Sequence, residues 1–185
     1  MTRFLAILAV ALFAVLPIRA NAQPLDPENT IYLQLATGRV VIKLRPDLAP
    51  NHVQRVKELT RAKFYDGLTF HRVIPGFMAQ TGDPNGDGSG GSDKPDLKAE
   101  FTPTHFVHGI IGAALGAGNP DSANSQFFIC LGDAPWLDGG YTVWGEVVSG
   151  MEFVDAVKAG NPDINDGRVS KPDKIVRMQV AADVH

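Results

Sequence analysis

The chain has 185 residues, with 17 Lys and Arg against 20 Asp and Glu, a formal net charge of −3 and a single cysteine. Phosphate binding needs grouped Lys and Arg, and no such group occurs, so nucleic acid is not an expected partner. One cysteine rules out an internal disulfide, and the length suits one domain with one core.

Residues 1–22 read as an export signal. Arg3 supplies the positive end, the run from Phe4 to Leu16 is the apolar centre, and Ala20-Asn21-Ala22 is a small-x-small cleavage site. A run of 13 residues is short for a bilayer span. No stable membrane insertion is therefore expected after cleavage, and no cysteine stands near the cleavage site to carry a lipid. Removal of Arg3 and Arg19 leaves 15 basic against 20 acidic residues in the single expected domain, residues 23–185.

After a polar lead-in, Ile31, Leu33 and Leu35 alternate with polar residues, as a half-buried strand requires. Thr37-Gly38 is a turn signal, and Val40, Ile42 and Leu44 share a face of the returning strand, so residues 31–44 read as a β-hairpin. Pro50 opens a helix with Val53, Val56 and Leu59 facing inward and Arg55, Lys57, Glu58 and Arg61 facing water. A second helix is expected after Ser149-Gly150-Met151-Glu152, which fits a capping box; Met151, Val154 and Val157 form its inward stripe, and Gly160 and Pro162 end it. Between the helices lie strand candidates at 69–73, 77–81, 109–115, 126–131 and 142–147, with another at 174–180. The expected fold is mainly β: a closed eight-stranded antiparallel β-barrel, closed because so many strands need their edges paired, with the two helices at its ends.

Several motifs fail on their chemistry. Asp83-Pro84-Asn85-Gly86-Asp87-Gly88 begins like a calcium loop, but Lys94 stands where a bidentate Glu is required. Residues 86–91 (GDGSGG) lack the Lys-Ser/Thr of a phosphate cradle. His105 and His108 would point to opposite faces of a strand, and no Cys pair or helical His pair supports them as metal ligands. Ser125 has no nucleophile-elbow pattern, and Cys130 within an apolar run reads as a buried structural thiol.

The stretch Phe70-His71-Arg72-Val73-Ile74-Pro75-Gly76-Phe77-Met78-Ala79-Gln80 remains. It is apolar, yet carries Arg72 and Gln80 with no carboxylate before Asp83, and a buried guanidinium is costly unless paired. One reading is that Arg72 pairs with a distant carboxylate and the rest is core. The other is a groove wall.

Residues 70–83 (FHRVIPGFMAQTGD) resemble the signature of the cyclophilin family of peptidyl-prolyl cis–trans isomerases, as do residues 124–129 (NSQFFI) and 136–139 (WLDG). The glycine-rich residues 86–91 look like the family's substrate-side loop. The resemblance implies an eight-stranded barrel with two helices, isomerisation of X–Pro bonds in proline-containing polypeptides, a monomer, and no cofactor. It matches Arg72 to the catalytic arginine. Phe77, Met78, Gln80, Ala114, Gln126, Phe128, Trp136 and Leu137 match groove positions, and Tyr141 stands where many members have histidine. It also implies cyclosporin binding through Trp136. Residues 112–115 (GAAL) depart from the family's usual Ser-Met-Ala-Asn, and the loop to Pro120 is about two residues longer. With the export signal, the expected site of action is the bacterial periplasm. The expectation is that no carboxylate neutralises Arg72, that Gln80 orients it, that Gln126 fixes a substrate carbonyl, and that His71 points away. The rival reading is a module that only binds proline-containing segments.

Overall fold

The computed structural model describes residues 24–184. The export-signal reading falls on residues 1–22 and lies outside them.

Eight strands form one antiparallel sheet: β1 Thr30–Gln34, β2 Arg39–Leu44, β3 Arg72–Ile74, β4 Met78–Thr81, β5 Ile110–Ala113, β6 Phe127–Cys130, β7 Val143–Ser149 and β8 Arg177–Val180. Their order across the sheet is β3-β4-β6-β5-β7-β2-β1-β8. The β1–β2 hairpin pairs Gln34 with Arg39, and Leu35 donates its N–H to Gly38 O at 2.9 Å, so the turn forms where Thr37-Gly38 signals it.

The sheet curls but does not close as a ladder. Between the end strands, β3 and β8, the contact is made by the segment before β8 through single bridges, Thr69 with Lys174 and Arg72 with Arg168, supported by bonds such as Ile175 N–H to Leu68 O at 2.9 Å. The expected closed barrel is therefore a curled half-barrel whose open side is covered by residues 167–176. That segment, GRVSKPDKIV, carries Gly, Lys, Pro and Asp in place of apolar alternation, and Pro cannot donate to a ladder.

Helix α1 (Pro50–Arg61) begins with Pro at its first turn and packs Val53, Val56 and Leu59 into the core. Arg55 departs from expectation. It is buried, and its Nη1 donates to Pro95 O at 2.9 Å, an acceptor 40 residues away. The second expected helix is short. Helix α2 (Met151–Asp155) has Gly150 as N-cap at φ 82° and no side-chain cap, and Ser149 belongs to β7. The capping box does not form because the chain must turn sharply from strand to helix beside Arg39 and Val40. A Cβ at residue 150 would collide with that backbone, so glycine is required. A third helix, α3 (Pro162–Asn165), follows with Asn161 as its cap.

Because side chains alternate along each strand, the sheet has two apolar faces. Ile31, Leu33, Ile42, Ile111, Phe127, Ile129 and Trp144 join α1 in the main core, each burial stabilising by roughly 1.5–3 kcal/mol. Met78, Phe106, Phe128, Cys130, Leu137 and Val143 form a second cluster, and this is where the site lies.

Candidate active site

Strand register places the candidate residues in one row. Arg72 pairs with Gln80, Gln80 with Phe128, Phe128 with Gly112 and Gly112 with Val143. Same-row residues on neighbouring strands share a face, so guanidinium, amide and aromatic ring stand side by side. Gly112 has no side chain to offer, and the Phe128 and Phe106 rings fill its place; a Cβ there would run into both. The two rings stack at 5.7 Å, and Tyr141 meets the Phe128 ring edge-on at 5.7 Å.

Arg72, Phe77, Met78, Gln80, Ala114, Leu115, Phe128, Leu137 and Tyr141 line a cavity of about 140 Å³. That is well below the several hundred Å³ of a typical cofactor site and suits a single small side chain. Trp136 stands beside it, 66% exposed, with its ring 5.5 Å from that of Phe77. Leu115, which sequence reasoning did not single out, lines this cavity and an adjoining polar one of about 340 Å³ that also holds Gln126 and Gly88–Ser92. Asn119 lines neither; its Oδ1 accepts from Asp121 N–H within its own loop at 3.0 Å.

Arg72 does have a carboxylate partner. Its Nε donates to Asp166 Oδ2 at 3.1 Å and to Asp166 O at 2.9 Å, and its Nη2 donates to Asp166 Oδ1 at 2.9 Å. The expectation of an uncompensated arginine is thus corrected: the partner lies 94 residues along the chain, beyond any local pattern. The guanidinium holds the Asp166 carboxyl below the usual carboxylate range. On its other side Arg72 Nη1 donates to Gln80 Oε1 at 3.3 Å, as expected of an orienting amide, and contacts Met78 Sδ at 3.8 Å.

The chain of bonds continues. Gln80 Nε2 donates to Gln126 Oε1 at 2.9 Å. Gln126 Nε2 donates to Gly88 O at 3.1 Å and Gly90 O at 2.8 Å. Both amide hydrogens of Gln126 are therefore engaged with the glycine-rich loop, and the side chain ties that loop to Gln80. The loop itself is organised by buried Asp83, whose carboxylate accepts from the N–H groups of Asn85, Asp87 and Gly88.

His71 is buried, lies outside the cavity lining, and has its pKa lowered by burial. Cys130 is buried beneath the site, where the same effect raises its thiol to about 12, too high for a nucleophile at neutral pH. What the geometry offers is a permanent cation at the rim of a small apolar notch.

The family model for cyclophilin-type peptidyl-prolyl cis-trans isomerase matches residues 30–180. A probable peptidyl-prolyl cis-trans isomerase of Brucella suis is 51% identical, over 95% of this chain and 95% of its own length. Peptidyl-prolyl cis-trans isomerase B of Bacillus subtilis is 39% identical, over 72% of this chain and 93% of its own. A crystal structure of a cyclophilin from Hirschia baltica superposes with a TM-score of 0.75 at 24% identity, covering 87% of this chain and 77% of that one. The chain belongs to the cyclophilin-type peptidyl-prolyl cis-trans isomerases. It is an isomerase of the X–Pro peptide bond.

Proposed function

We propose that this isomerase acts on proline-containing segments of exported polypeptides, seating the proline ring in the notch while Arg72 donates to the prolyl nitrogen. The supporting observation is the single row in which Arg72 and Gln80 border the Phe128 floor. A related cyclophilin from Cryptosporidium parvum was crystallised in the presence of the dipeptide Ala-Pro, the same substrate chemistry.

Amide resonance sets a rotation barrier of about 18–20 kcal/mol, so uncatalysed X–Pro isomerisation takes tens of seconds or more. In the twisted transition state the nitrogen regains its lone pair. A donor aimed there stabilises the transition state more than the planar ground state. Reaching milliseconds requires about 10⁴-fold, or roughly 5–6 kcal/mol. One charge-assisted hydrogen bond contributes about 1.5–3 kcal/mol, so Arg72 supplies about half. The rest comes from the apolar notch of Phe77, Met78, Phe128 and Leu137, which removes water and disfavours the charge-separated planar amide. Gln80 helps to orient Arg72 by accepting from Nη1.

Arg72→Ala is expected to lower kcat/KM about 100-fold in a protease-coupled proline-peptide assay while circular dichroism stays unchanged. Near-normal turnover would sink the mechanism. A module that only binds would instead keep its peptide affinity and show no turnover worth losing. The exposed ring of Trp136 beside Phe77 is the expected cyclosporin contact, read in the same assay as inhibition at micromolar inhibitor. The periplasmic setting rests on Arg3, the apolar run to Leu16 and Ala20-Asn21-Ala22. Labelling of the intact cell's compartments, with and without residues 1–22, tests it.

A further inference from the structure

The segment carrying Asp166 is built around Arg72. Val73, the next residue, donates its N–H to Gly167 O at 2.8 Å and accepts from Gly160 N–H at 3.0 Å. Arg168 bridges the backbone of Arg72, and its Nη1 donates to Asp87 O. Asp166 sits between these ties at φ 55°, in the left-handed region, followed by Gly167 at φ 75°. Among non-glycine residues, Asn and Asp tolerate that region best. The side chain is 75% exposed against 25% for Arg72. An ion pair so exposed adds little to stability, yet its geometry is the paired, fork-on-carboxylate kind that fixes a guanidinium's plane.

We propose that Asp166 is a positioning residue for the reaction. Its carboxylate occupies the Nε–Nη2 edge of Arg72 and leaves the Nη1–Nη2 end as the edge that donates to substrate. A guanidinium has five N–H groups in a rigid fork. Nε–H and one N–H of Nη2 go to Asp166, and Nη1 is turned to Gln80. The second N–H of Nη2 lies at the end of the fork, free to reach a prolyl nitrogen. Without the carboxylate, Arg72 keeps the backbone oxygen of Asp166 and the longer Gln80 contact. Neither defines the plane of the fork, so the donor samples unproductive rotamers. Seating of the proline depends on the notch and not on Asp166, so the loss falls on kcat.

The inference rests on Arg72 being the donor. The test measures kcat and KM for Asp166→Gly, Asp166→Asn, Arg72→Ala and the Asp166→Gly/Arg72→Ala double variant, with Tm for each. Glycine is at home at φ 55°, so Asp166→Gly removes the carboxylate with the fold intact. It is expected to lower kcat about tenfold with KM within about twofold. Asp166→Asn keeps one acceptor for the fork but sets an amide N–H2 where the second oxygen stood, and is expected to recover only part of kcat. In the Arg72→Ala background Asp166→Gly causes no further loss. Unchanged kcat in Asp166→Gly, or an equal fractional loss when Arg72 is absent, overturns the proposal. Full activity in Arg72→Ala alone is a different failure, that of the donor assignment itself.

Discussion

Phe127 and Phe128 are chain neighbours on one strand, both nearly buried, yet they belong to different parts of the molecule. Phe127 meets Trp144 edge-on at 5.2 Å and Tyr65 at 5.6 Å within the main core. Phe128 faces Phe106, Tyr141 and the open notch. The same alternation separates Ala79 from Gln80 and Ile111 from Gly112. Each central strand thus presents one face closed by helix α1 and another face roofed by loops. The first face has apolar atoms on all sides and serves stability. The second is left incompletely packed, and that shortfall is the notch proposed to take the proline.

Substitution of these two phenylalanines separates the roles. Phe127→Ala is expected to cost about 3–5 kcal/mol, as buried aromatics do, because enclosed neighbours cannot collapse around the void. Urea denaturation reads the loss, and kcat/KM of the remaining folded protein should hardly change. Phe128→Ala is expected to cost less, about 1–3 kcal/mol, because the vacated space merges with the notch and admits water. It should lower kcat/KM about tenfold through loss of the ring's seat. Equal catalytic damage from both would break the two-face division.

The smallest effect concerns the ion pairs. Glu28 accepts from Lys57 at 3.0 Å and from Arg61 at 2.8 Å, remote from the notch, and Arg61 with Lys57 lowers its carboxyl to about 2. A depressed folded-state pKa gives stability that is present above the unfolded value, about 4.3, and lost as pH falls toward about 2. Solvent screens this half-exposed pair, so the contribution is minor. Glu28→Gln is expected to flatten the fall of Tm between about pH 5 and 2, leaving kcat/KM at neutral pH untouched. The Asp166 pair, with similar chemistry, acts instead on kcat. A catalytic defect in Glu28→Gln would blur that contrast.

Much of this was legible because strand alternation is a local signal. Val40, Ile42 and Leu44 reach the core as their spacing requires, and the six later strands overlap the segments expected for them, with β3 running on to Ile74 and β7 to Ser149. The cyclophilin-like motifs located Arg72, Gln80 and Phe128. Where local cues competed with tertiary demands, they failed. Ser149 looks like a helix cap, but β7 claims it for pairing with Val41. Arg55 looks solvent-facing by helical period, but the loop at Pro95 folds over it and accepts from its guanidinium.

The residue pattern by itself determined the eight strands, the long helix and the apolar character of the notch, because burial with a period of two or 3.6 is written into neighbouring residues. The tertiary structure alone decided three further things: that the barrel stays open between β3 and β8, that Gln126 spends its amide on the glycine-rich loop, and that Asp166 meets Arg72. Each depends on how segments far apart in the chain meet. A hydrogen bond or ion pair across 94 residues leaves no periodicity for a sequence to display.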